Sequence, residues 1–257
     1  CTACKCNKDG RAPDLIFERM NGNNICYCNG VDGSTISEVC AGPLPNGNVL
    51  FITYEKRSSE EAILMGRENI NNEIWPTMII ELQQVGIDSS EIVWKWRLWD
   101  HMIQSSDQDL ENFGVISAHP ELIDINLGTL GGGGGSSGDW IHVNSIDYNE
   151  DLDQIIFSSA SQDEFFIIDH STTTEEASEH SGGNSELGGD FLYRWGNPQN
   201  YGRGNASNKM LTHQHSVNWI NEDSPGAGHI ILFNNGTINS GSEILEIQPP
   251  LNDSGTY

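Results

Sequence analysis

The sequence is poor in positive charge and has no long apolar run. Lysine and arginine total 12 against 37 aspartate and glutamate residues, giving a formal net charge of −25 over 257 residues. Such a field repels polyanions, so we expect no nucleic-acid partner. No run approaches the roughly 18 apolar residues of a membrane-spanning helix, so we expect no membrane span. The 7 Trp, 8 Phe and 6 Tyr residues can still seed a folded core.

Cysteine is absent from most of the chain. All six cysteines lie in the first 40 residues, at Cys1, Cys4, Cys6, Cys26, Cys28 and Cys40. An even number of clustered cysteines is typical of a disulfide framework, so we predict three disulfides formed in an oxidising compartment. No hydrophobic leader precedes Cys1, so we expect a mature or trimmed chain. These features predict a secreted, extracellular protein.

Glycosylation signals agree with that location. Asn-x-Ser/Thr tripeptides predict N-glycans at Asn205, Asn235 and Asn252. We therefore interpret the chain as an acidic secreted glycoprotein.

Residues 1–43 are predicted to form a small disulfide-rich N-terminal segment. Its second half, from Cys26 to Cys40, resembles the second half of an EGF-like module, whereas the spacing of the first half does not fit. A disulfide-stapled cap without a function of its own is the preferred interpretation. Zinc bound by the C-x-x-C-x-C thiolates is the alternative and requires a reducing compartment.

Residues 44–257 are predicted to be an all-β domain. Short apolar runs bounded by turn residues predict strands at 49–54, 78–82, 92–98, 154–158, 164–168, 191–195, 229–233 and 243–247. Helical patterns are confined to 59–67 and 173–180. The Asn46-Gly47 and Asn235-Gly236 pairs favour tight turns, so the strands are expected to be mainly antiparallel. The glycine-rich run at 131–138 is interpreted as a loop insertion or a fusion scar.

One acidic segment, residues 147–153, superficially resembles a calcium-binding loop. Its sixth position is Leu152 rather than glycine, and its twelfth is Ser158 rather than glutamate. A solvated hairpin turn is therefore preferred to a calcium site. We predict no metal site and no cofactor anywhere in the chain.

A series of motifs points to a known family. The motifs are LPNGNVL at 44–50, VWKW to WDH at 93–101, HPELID at 119–124, DWIHVNS at 139–145, IDHS at 168–171, YRWGNP at 193–198 and QH at 214–215. In this order and over the stretch from about Pro43 to Tyr257, the chain resembles arylsulfotransferase-family proteins. The joined pattern is much more specific than any single motif.

The resemblance implies a β-propeller of four-stranded antiparallel blades. Complete members continue beyond a segment like 249–257, so the chain is expected to form about four blades of a larger ring, which could be six-bladed. Missing blades expose strand edges, and exposed edges favour pairing with another chain. We therefore expect self-association or a partner chain covering them.

The resemblance also implies a chemistry. Active members transfer a sulfuryl group from an aryl sulfate to a phenol without a nucleotide donor, through a sulfated histidine. By motif position His215 is the expected nucleophile, and His142 is expected to contact the sulfonate or the leaving oxygen. Arg194, His170 and His213 are further candidates for substrate binding.

Three departures from the family pattern bear on activity. Active enzymes have a histidine ahead of the LPNGN motif, where this chain reads EVCAG at 38–42. They place a sulfonate-binding arginine where this chain has Ala160, and Ser216 follows His215 where an aspartate is expected. Losing one such donor costs about a hundred- to a thousandfold in rate. Arg194 or His170 could substitute, although stacking or salt bridging for Arg194 and a turn hydrogen bond for His170 are the simpler interpretations.

Two function classes follow. The chain is either a diverged sulfotransferase acting through His215, assisted by His142, or a non-catalytic extracellular structural or adhesive module that joins neighbours through open strand edges. The intact QH and DWIH motifs favour the enzyme. Ala160 and the missing histidine favour the structural module.

Overall fold

The computed structural model describes residues 35–36, 42–70, 72–86, 89–131, 138–236, 241–252 and 256–257. The six cysteines and the predicted N-terminal cap lie outside the described residues, apart from short pieces of the segment that precedes residue 44. Most of the glycine-rich run also lies outside them.

Strands dominate the described part of the chain. They are β1 (Thr35–Ile36), β2 (Gly42–Pro43), β3 (Val49–Tyr54), β4 (Arg57–Ser58), β5 (Glu73–Ile74), β6 (Thr77–Val85), β7 (Ser89–Arg97), β8 (Met102–Ile103), β9 (Ile123–Asp124), β10 (Val143–Asn149), β11 (Gln154–Ser159), β12 (Glu164–Asp169), β13 (Tyr193–Trp195), β14 (His215–Trp219), β15 (Ile230–Asn234) and β16 (Glu243–Ile247). The α-helix in this part is α1 (Ser59–Leu64), and short 3-10 helices lie at Leu98–Asp100, Ile116–Ala118, Glu176–Ser178, Pro198–Tyr201 and Ala206–Asn208. Among the described residues there is no helix with the length and hydrophobicity that crossing a membrane requires.

The strands form three main antiparallel sheets. The first sheet has the order β1-β3-β6-β7, with β2 also paired to β3. The second sheet is β10-β11-β12-β13 and the third is β14-β15-β16. Two small pairs accompany them, antiparallel β4-β5 and parallel β8-β9. Within the described residues none of these sheets closes on itself.

The second sheet lies between two hydrophobic cores. Because side chains alternate along a strand, Phe166 and Ile168 of β12 enter one core, whereas Phe165 and Ile167 enter the other. All six residues of β12 are buried. The first core joins the second sheet to the first sheet, and the second core joins it to the third sheet. Each such side chain stabilises the fold by about 1.5–3 kcal/mol when fully buried.

The all-β prediction is confirmed, and its strands are found where apolar runs occur. The runs at 49–54 and 243–247 coincide with β3 and β16, and the other six overlap β6, β7, β11, β12, β13 and β15. Helix α1 covers most of the predicted 59–67 segment, whereas 173–180 contains a 3-10 helix at Glu176–Ser178 instead. Residues 150–153 form the turn of the β10-β11 hairpin. Strands β10 and β14 were not predicted.

The polar strands β10 and β14 join the second sheet to the third. They pack side by side, and side chains of β10 bond to main-chain groups on or next to β14. Asn144 Nδ2 donates to the Gln214 carbonyl at 2.7 Å, Ser145 Oγ accepts from the Val217 N–H at 3.0 Å, and Asp147 Oδ2 accepts from the Trp219 N–H at 2.8 Å. These three bonds satisfy backbone groups that no ladder between the two strands satisfies.

Replacing Asp147 tests this connection. Burial raises the pKa of Asp147, and hydrogen bonds from the Trp219 and Tyr148 N–H groups only partly offset this effect. The oxygen of Asp147 as a hydrogen-bond acceptor therefore stabilises the fold more than the negative charge of its carboxylate does. Asp147→Ala should lower the free energy of unfolding by about 1–3 kcal/mol, because the Trp219 N–H loses its acceptor. Asp147→Asn keeps an acceptor oxygen and should cost less than half as much. Urea unfolding at neutral pH measures both, and equal losses would contradict the assigned role.

Candidate functional site

The candidate histidines lie at the beginning of the two joined strands. His142 immediately precedes β10, and His215 is the first residue of β14. The bond from Asn144 Nδ2 to the Gln214 carbonyl connects the two segments within two residues of each histidine. The structure therefore brings the segments of His142 and His215 to the same end of neighbouring sheets.

His142 is anchored by an acidic partner. Its Nδ1 lies 2.6 Å from Asp139 Oδ2, and its carbonyl accepts the Ala160 N–H at 3.1 Å. The backbone next to Asp139 is held in turn, because the carbonyl of the preceding residue, Gly138, accepts a hydrogen bond from the Trp75 N–H just after β5 at 2.8 Å. An ionised Asp139 requires the hydrogen of His142 on Nδ1, and this assigns the tautomer of the neutral ring. Sequence reasoning missed Asp139, although the three-residue spacing within DWIH was a usable signal.

His215 is oriented by its own tripeptide. Its Nδ1 lies 2.9 Å from the His213 carbonyl oxygen, which can only accept; this contact is shorter than the one to the Asn235 amide nitrogen, a donor, and therefore favours the hydrogen on Nδ1 and the lone pair of the neutral ring on Nε2. The side chain is exposed to solvent, with Asn235 Nδ2 3.3 Å from Nδ1. This is the tautomer that a nucleophile acting through Nε2 requires.

Gln214 fixes His215 to the second sheet. Its side chain is fully buried, and Nε2 lies within hydrogen-bond distance of Ser158 Oγ at 2.8 Å, the Ser159 carbonyl at 2.9 Å and the Glu164 carbonyl at 2.8 Å. An amide side chain inserted in this way leaves β14 little freedom to slide along β10. The QH motif thus pairs a buried anchor with an exposed imidazole.

Three of the non-glycine residues with positive φ are His142 and the two residues that lie on either side of Gln214 and His215. His142, His213 and Ser216 have φ values of 48°, 45° and 56°, in the left-handed region that residues with a side chain rarely adopt. Such strain costs about 1–3 kcal/mol per residue and is retained where the surroundings enforce it, most often at functional sites.

A cation missed by sequence reasoning lies near His213. The His213 N–H donates to Asp163 Oδ1 at 2.7 Å, and Lys209 Nζ lies 2.5 Å from Asp163 Oδ2. Lys209 belongs to an irregular segment after the 3-10 helix at Ala206–Asn208, where no sequence pattern indicated a site. Ala160 is buried and bonded to His142, so the position where the family pattern has an arginine borders the candidate site.

A comparison with protein-family models decides the family. A model described as Arylsulfotransferase (ASST) matches residues 41–250, which is most of the chain. The chain belongs to the arylsulfotransferase family. No curated protein sequence matches it. The family assignment supports an arylsulfotransferase-like function and agrees with the resemblance carried by the motifs.

The structure places two further candidates of this arylsulfotransferase-family chain in structural networks. Arg194 is buried, with Nε 3.1 Å from Glu164 Oε1, Nη2 2.5 Å from Glu164 Oε2 and Nη1 3.0 Å from the Leu122 carbonyl. Its guanidinium also lies over the Tyr201 ring, 4.3 Å from the centroid. These contacts match the salt-bridging and stacking interpretation of Arg194.

His170 lies at the other end of the second sheet from His142. It follows β12 and contacts Glu81 Oε2 at 2.9 Å through Nε2 and Asp153 Oδ1 at 2.8 Å through Nδ1. Asn46 and Asn48 of the LPNGN motif also donate to Glu81. This family motif thus helps to fix an ionic contact between the first and second sheets.

The predicted glycosylation asparagines occupy different surroundings. Asn205 is exposed and caps the 3-10 helix at Ala206–Asn208, whereas Asn235 lies beside His215. Asn252 is exposed and accepts hydrogen bonds from Thr256. Their modification stays a prediction, as do the substrate contacts of His213.

One group of side chains outside these positions has metal-ligating chemistry. His101, His180 and Asp190 bring three donor atoms within 4.8 Å of one another. His101 lies in the WDH family motif, where a structural role is expected, whereas the sequence indicated no role for His180 or Asp190.

The His170–Glu81 pair predicts a specific pH dependence of stability. Burial would lower the pKa of His170, but hydrogen bonds to Glu81 and Asp153 outweigh it and raise the pKa above the ordinary 6.5. Burial would raise the pKa of Glu81, but hydrogen bonds from His170, Asn48 and Asn46 lower it from 4.5 to about 2. The stabilisation from His170 is therefore complete below pH 6.5 and lost as pH rises through the folded pKa, whereas that from Glu81 is complete above pH 4.5 and lost toward pH 2.

The pair should consequently contribute most between about pH 4.5 and 6.5. In urea unfolding, His170→Gln should lose more stability relative to the wild type near pH 6 than near pH 9. A loss that is the same at both pH values would show that the charged pair does not form. His119→Gln, at an exposed histidine paired with Glu121, is the matched control and should show a much smaller pH dependence.

Proposed function

We propose that this chain transfers a sulfuryl group from an aryl sulfate to a phenol through a sulfated His215. The observation that carries the proposal is the position of His142 and His215 at the same end of the joined strands β10 and β14, each with Nδ1 committed to a fixed acceptor. The family assignment supports the substrate classes, an aryl sulfate as donor and a phenol as acceptor.

In the first half-reaction His215 is the nucleophile. The Nε2 lone pair forms a bond to sulfur as the bond between sulfur and the aryl oxygen breaks, and the electron pair of that bond leaves on the phenolate. Nδ1 keeps its hydrogen and donates it to the His213 carbonyl oxygen, which stabilises the positive charge that develops on the ring. Gln214 keeps the ring at this position while the sulfuryl group is attached.

His142 serves as the proton donor and acceptor. In protonated form, with Asp139 stabilising its positive charge, it gives a proton to the departing phenolate. In the second half-reaction it takes the proton of the acceptor phenol, whose oxygen attacks sulfur as the bond from sulfur to His215 breaks. Protons and electrons balance over the cycle, and no cofactor is required.

Lys209 is the proposed source of positive charge for the sulfonate. The arginine of the family pattern is replaced by Ala160, and the chain as a whole is strongly acidic. Lys209 reaches Asp163, which also holds the His213 backbone, so its ammonium group lies one side chain away from the QH segment. Release of Lys209 from Asp163 and its reorientation toward the substrate would provide the missing cation.

The arrangement of the sheets supports a partial β-propeller as the underlying fold. The edge strand β2 of the first sheet contacts β10, and β10 contacts β14. The edge strands of three successive sheets thus lie next to one another, as the inner strands of neighbouring blades do. In an incomplete ring the end sheets need cover, so we propose that another copy or a partner chain pairs with them.

A second candidate function is that of a non-catalytic extracellular module. Ala160 and Ser216 stand where the family pattern has an arginine and an aspartate, and an acidic glycosylated surface suits a structural or adhesive role. In either case we propose that the protein is secreted, with disulfides among the first 40 residues. Intact mass measured with and without reduction and glycan removal checks the oxidised and glycosylated state.

The enzyme hypothesis is tested by phenol release. Purified protein is incubated with an aryl sulfate that yields a coloured phenol, with and without a phenolic acceptor, and the digested protein is searched for a sulfated His215 peptide. His215→Ala should reduce release to the buffer rate and remove the sulfated peptide, because the atom that bonds sulfur is gone. His229→Ala, at another histidine paired to a carboxylate next to the third sheet, is the matched control and should behave as the wild type.

Asp139→Asn separates the proposed roles of the two histidines. The amide weakens stabilisation of protonated His142, so the rate should fall about a hundred- to ten-thousandfold. Sulfation of His215 should still be detectable after long incubation. If wild type and His215→Ala release phenol equally slowly, and electron microscopy shows filaments or ordered oligomers, the structural module is favoured.

A further inference from the structure

We propose that His101, His180 and Asp190 form a zinc-binding site. The site is separate from the proposed sulfuryl-transfer chemistry, and its residues take no part in the mechanism above. His101 follows the 3-10 helix at Leu98–Asp100, whereas His180 and Asp190 belong to the long connection between β12 and β13. Zinc would therefore fasten this connection to the end of the first sheet.

The three side chains converge on one carboxylate oxygen. Asp190 Oδ1 lies 2.7 Å from His101 Nδ1 and 2.8 Å from His180 Nδ1. Their donor atoms all lie within 4.8 Å of one another. Two imidazoles and a carboxylate are a common zinc ligand set, and a fourth position is then left for water or another ligand.

Both ring nitrogens of His101 face oxygen acceptors, an arrangement that a bound cation would satisfy. Nε2 of His101 lies 3.0 Å from the Ala177 carbonyl oxygen, which can only accept, so Nε2 carries a hydrogen. In a neutral ring Nδ1 then bears a lone pair facing the Asp190 carboxylate, which is unfavourable without a positive charge between them. Protonation would place a positive charge on each imidazole. A single divalent ion bound by both imidazoles and by Asp190 would replace those two charges.

The surroundings of His101 resemble those of a metal ligand. A ligating histidine usually donates its other N–H to a backbone carbonyl, as His101 does to Ala177. The ring stacks on Trp96 with an interplanar angle of 4°, and Trp96 Nε1 donates to the Gly189 carbonyl at 2.7 Å. A side chain at Gly189 would come within 2.6 Å of His101 Nε2. The ring is thus held from several sides.

Two of the three ligands are buried and held in place, and the third is exposed and leaves a path for the ion. The side chains of His101 and Asp190 are 0% and 6% exposed, whereas that of His180 is 59% exposed. His180 and Asp190 also line a surface cleft of about 770 Å³. Two ligands are preformed, and the third can move aside to admit an ion and then close on it.

The ligand distances fit zinc after a small movement. With zinc bonds of about 2.0–2.1 Å, two ligand atoms of a tetrahedral site lie about 3.3 Å apart. The contacts to Asp190 Oδ1 must therefore lengthen by about half an ångström. The ligand nitrogens of the two histidines, which are at most 4.8 Å apart, must also come to about 3.3 Å, and rotation of the exposed His180 side chain would supply this movement. Mixed nitrogen and oxygen donors favour zinc over calcium or magnesium, which prefer oxygen alone.

Calorimetric titration of the full chain with ZnCl₂ tests the proposal. The protein is first stripped with a chelator, and any free thiols are alkylated so that the N-terminal cysteines cannot bind the ion. We expect one zinc per chain and at least a hundredfold weaker binding in His180→Ala, because outer partners alone change affinity by about 10–100-fold. Because the His180 side chain is exposed, we expect His180→Ala to fold as the wild type does, and circular dichroism checks this.

Two further measurements make the outcome decisive. His229→Ala removes a histidine paired with Glu246 next to the third sheet and should bind zinc as the wild type does. Cobalt(II) added to the stripped protein should give the intense visible absorption of a tetrahedral site, and this signal should vanish in His180→Ala. Failure of the wild type to bind zinc, or equal binding by wild type and His180→Ala, would overturn the proposal. Neither result depends on sulfotransferase activity.

Discussion

The contact between β10 and β14 is the constraint on which the candidate site depends. Strands of two different sheets cannot share a continuous ladder, so their facing backbone groups need other partners. Asn144, Ser145 and Asp147 provide them by bonding to main-chain groups of the Gln214 to Trp219 segment. The same bonds fix the relative register of the sheets. The segments of His142 and His215 lie at the same end of the two sheets because this register is fixed.

The apolar strands could be predicted from the sequence, whereas the strands bearing the candidate site could not. β3 and β12 are buried and β-branched or aromatic, so composition and turn residues locate them. β10 contains asparagine, serine and aspartate because those side chains replace a backbone ladder, and β14, which presents main-chain groups to them, is also rich in polar residues. Polar residues at these positions interrupt the hydrophobic pattern by which strands are recognised in a sequence. The family motifs nominated the histidines, and the DWIH spacing could have indicated Asp139, whereas Lys209 approaches the site only through three-dimensional packing.

Most of the scarce positive charge described here has a structural partner. Arg194 is paired with Glu164 in the core, and His170 lies between Glu81 and Asp153. In a chain with so few bases, removal of either cation would leave a buried or half-buried carboxylate unpaired. Lys209 differs because its partner Asp163 is near the surface and also bonded to the His213 backbone. Lys209 is therefore better placed than Arg194 or His170 to leave its carboxylate partner and bind an anionic ligand.

The burial of β11 and β12 on both faces has a consequence for cooperativity. A sheet that is packed on one face only has a polar face that already contacts water. In β11 and β12, by contrast, all residues are buried. Detachment of either flanking sheet would expose phenylalanine and isoleucine side chains to water. The three sheets should therefore melt in a single transition rather than one after another. The first and third sheets are the weakest points of this arrangement, because each packs against only one other main sheet among the described residues.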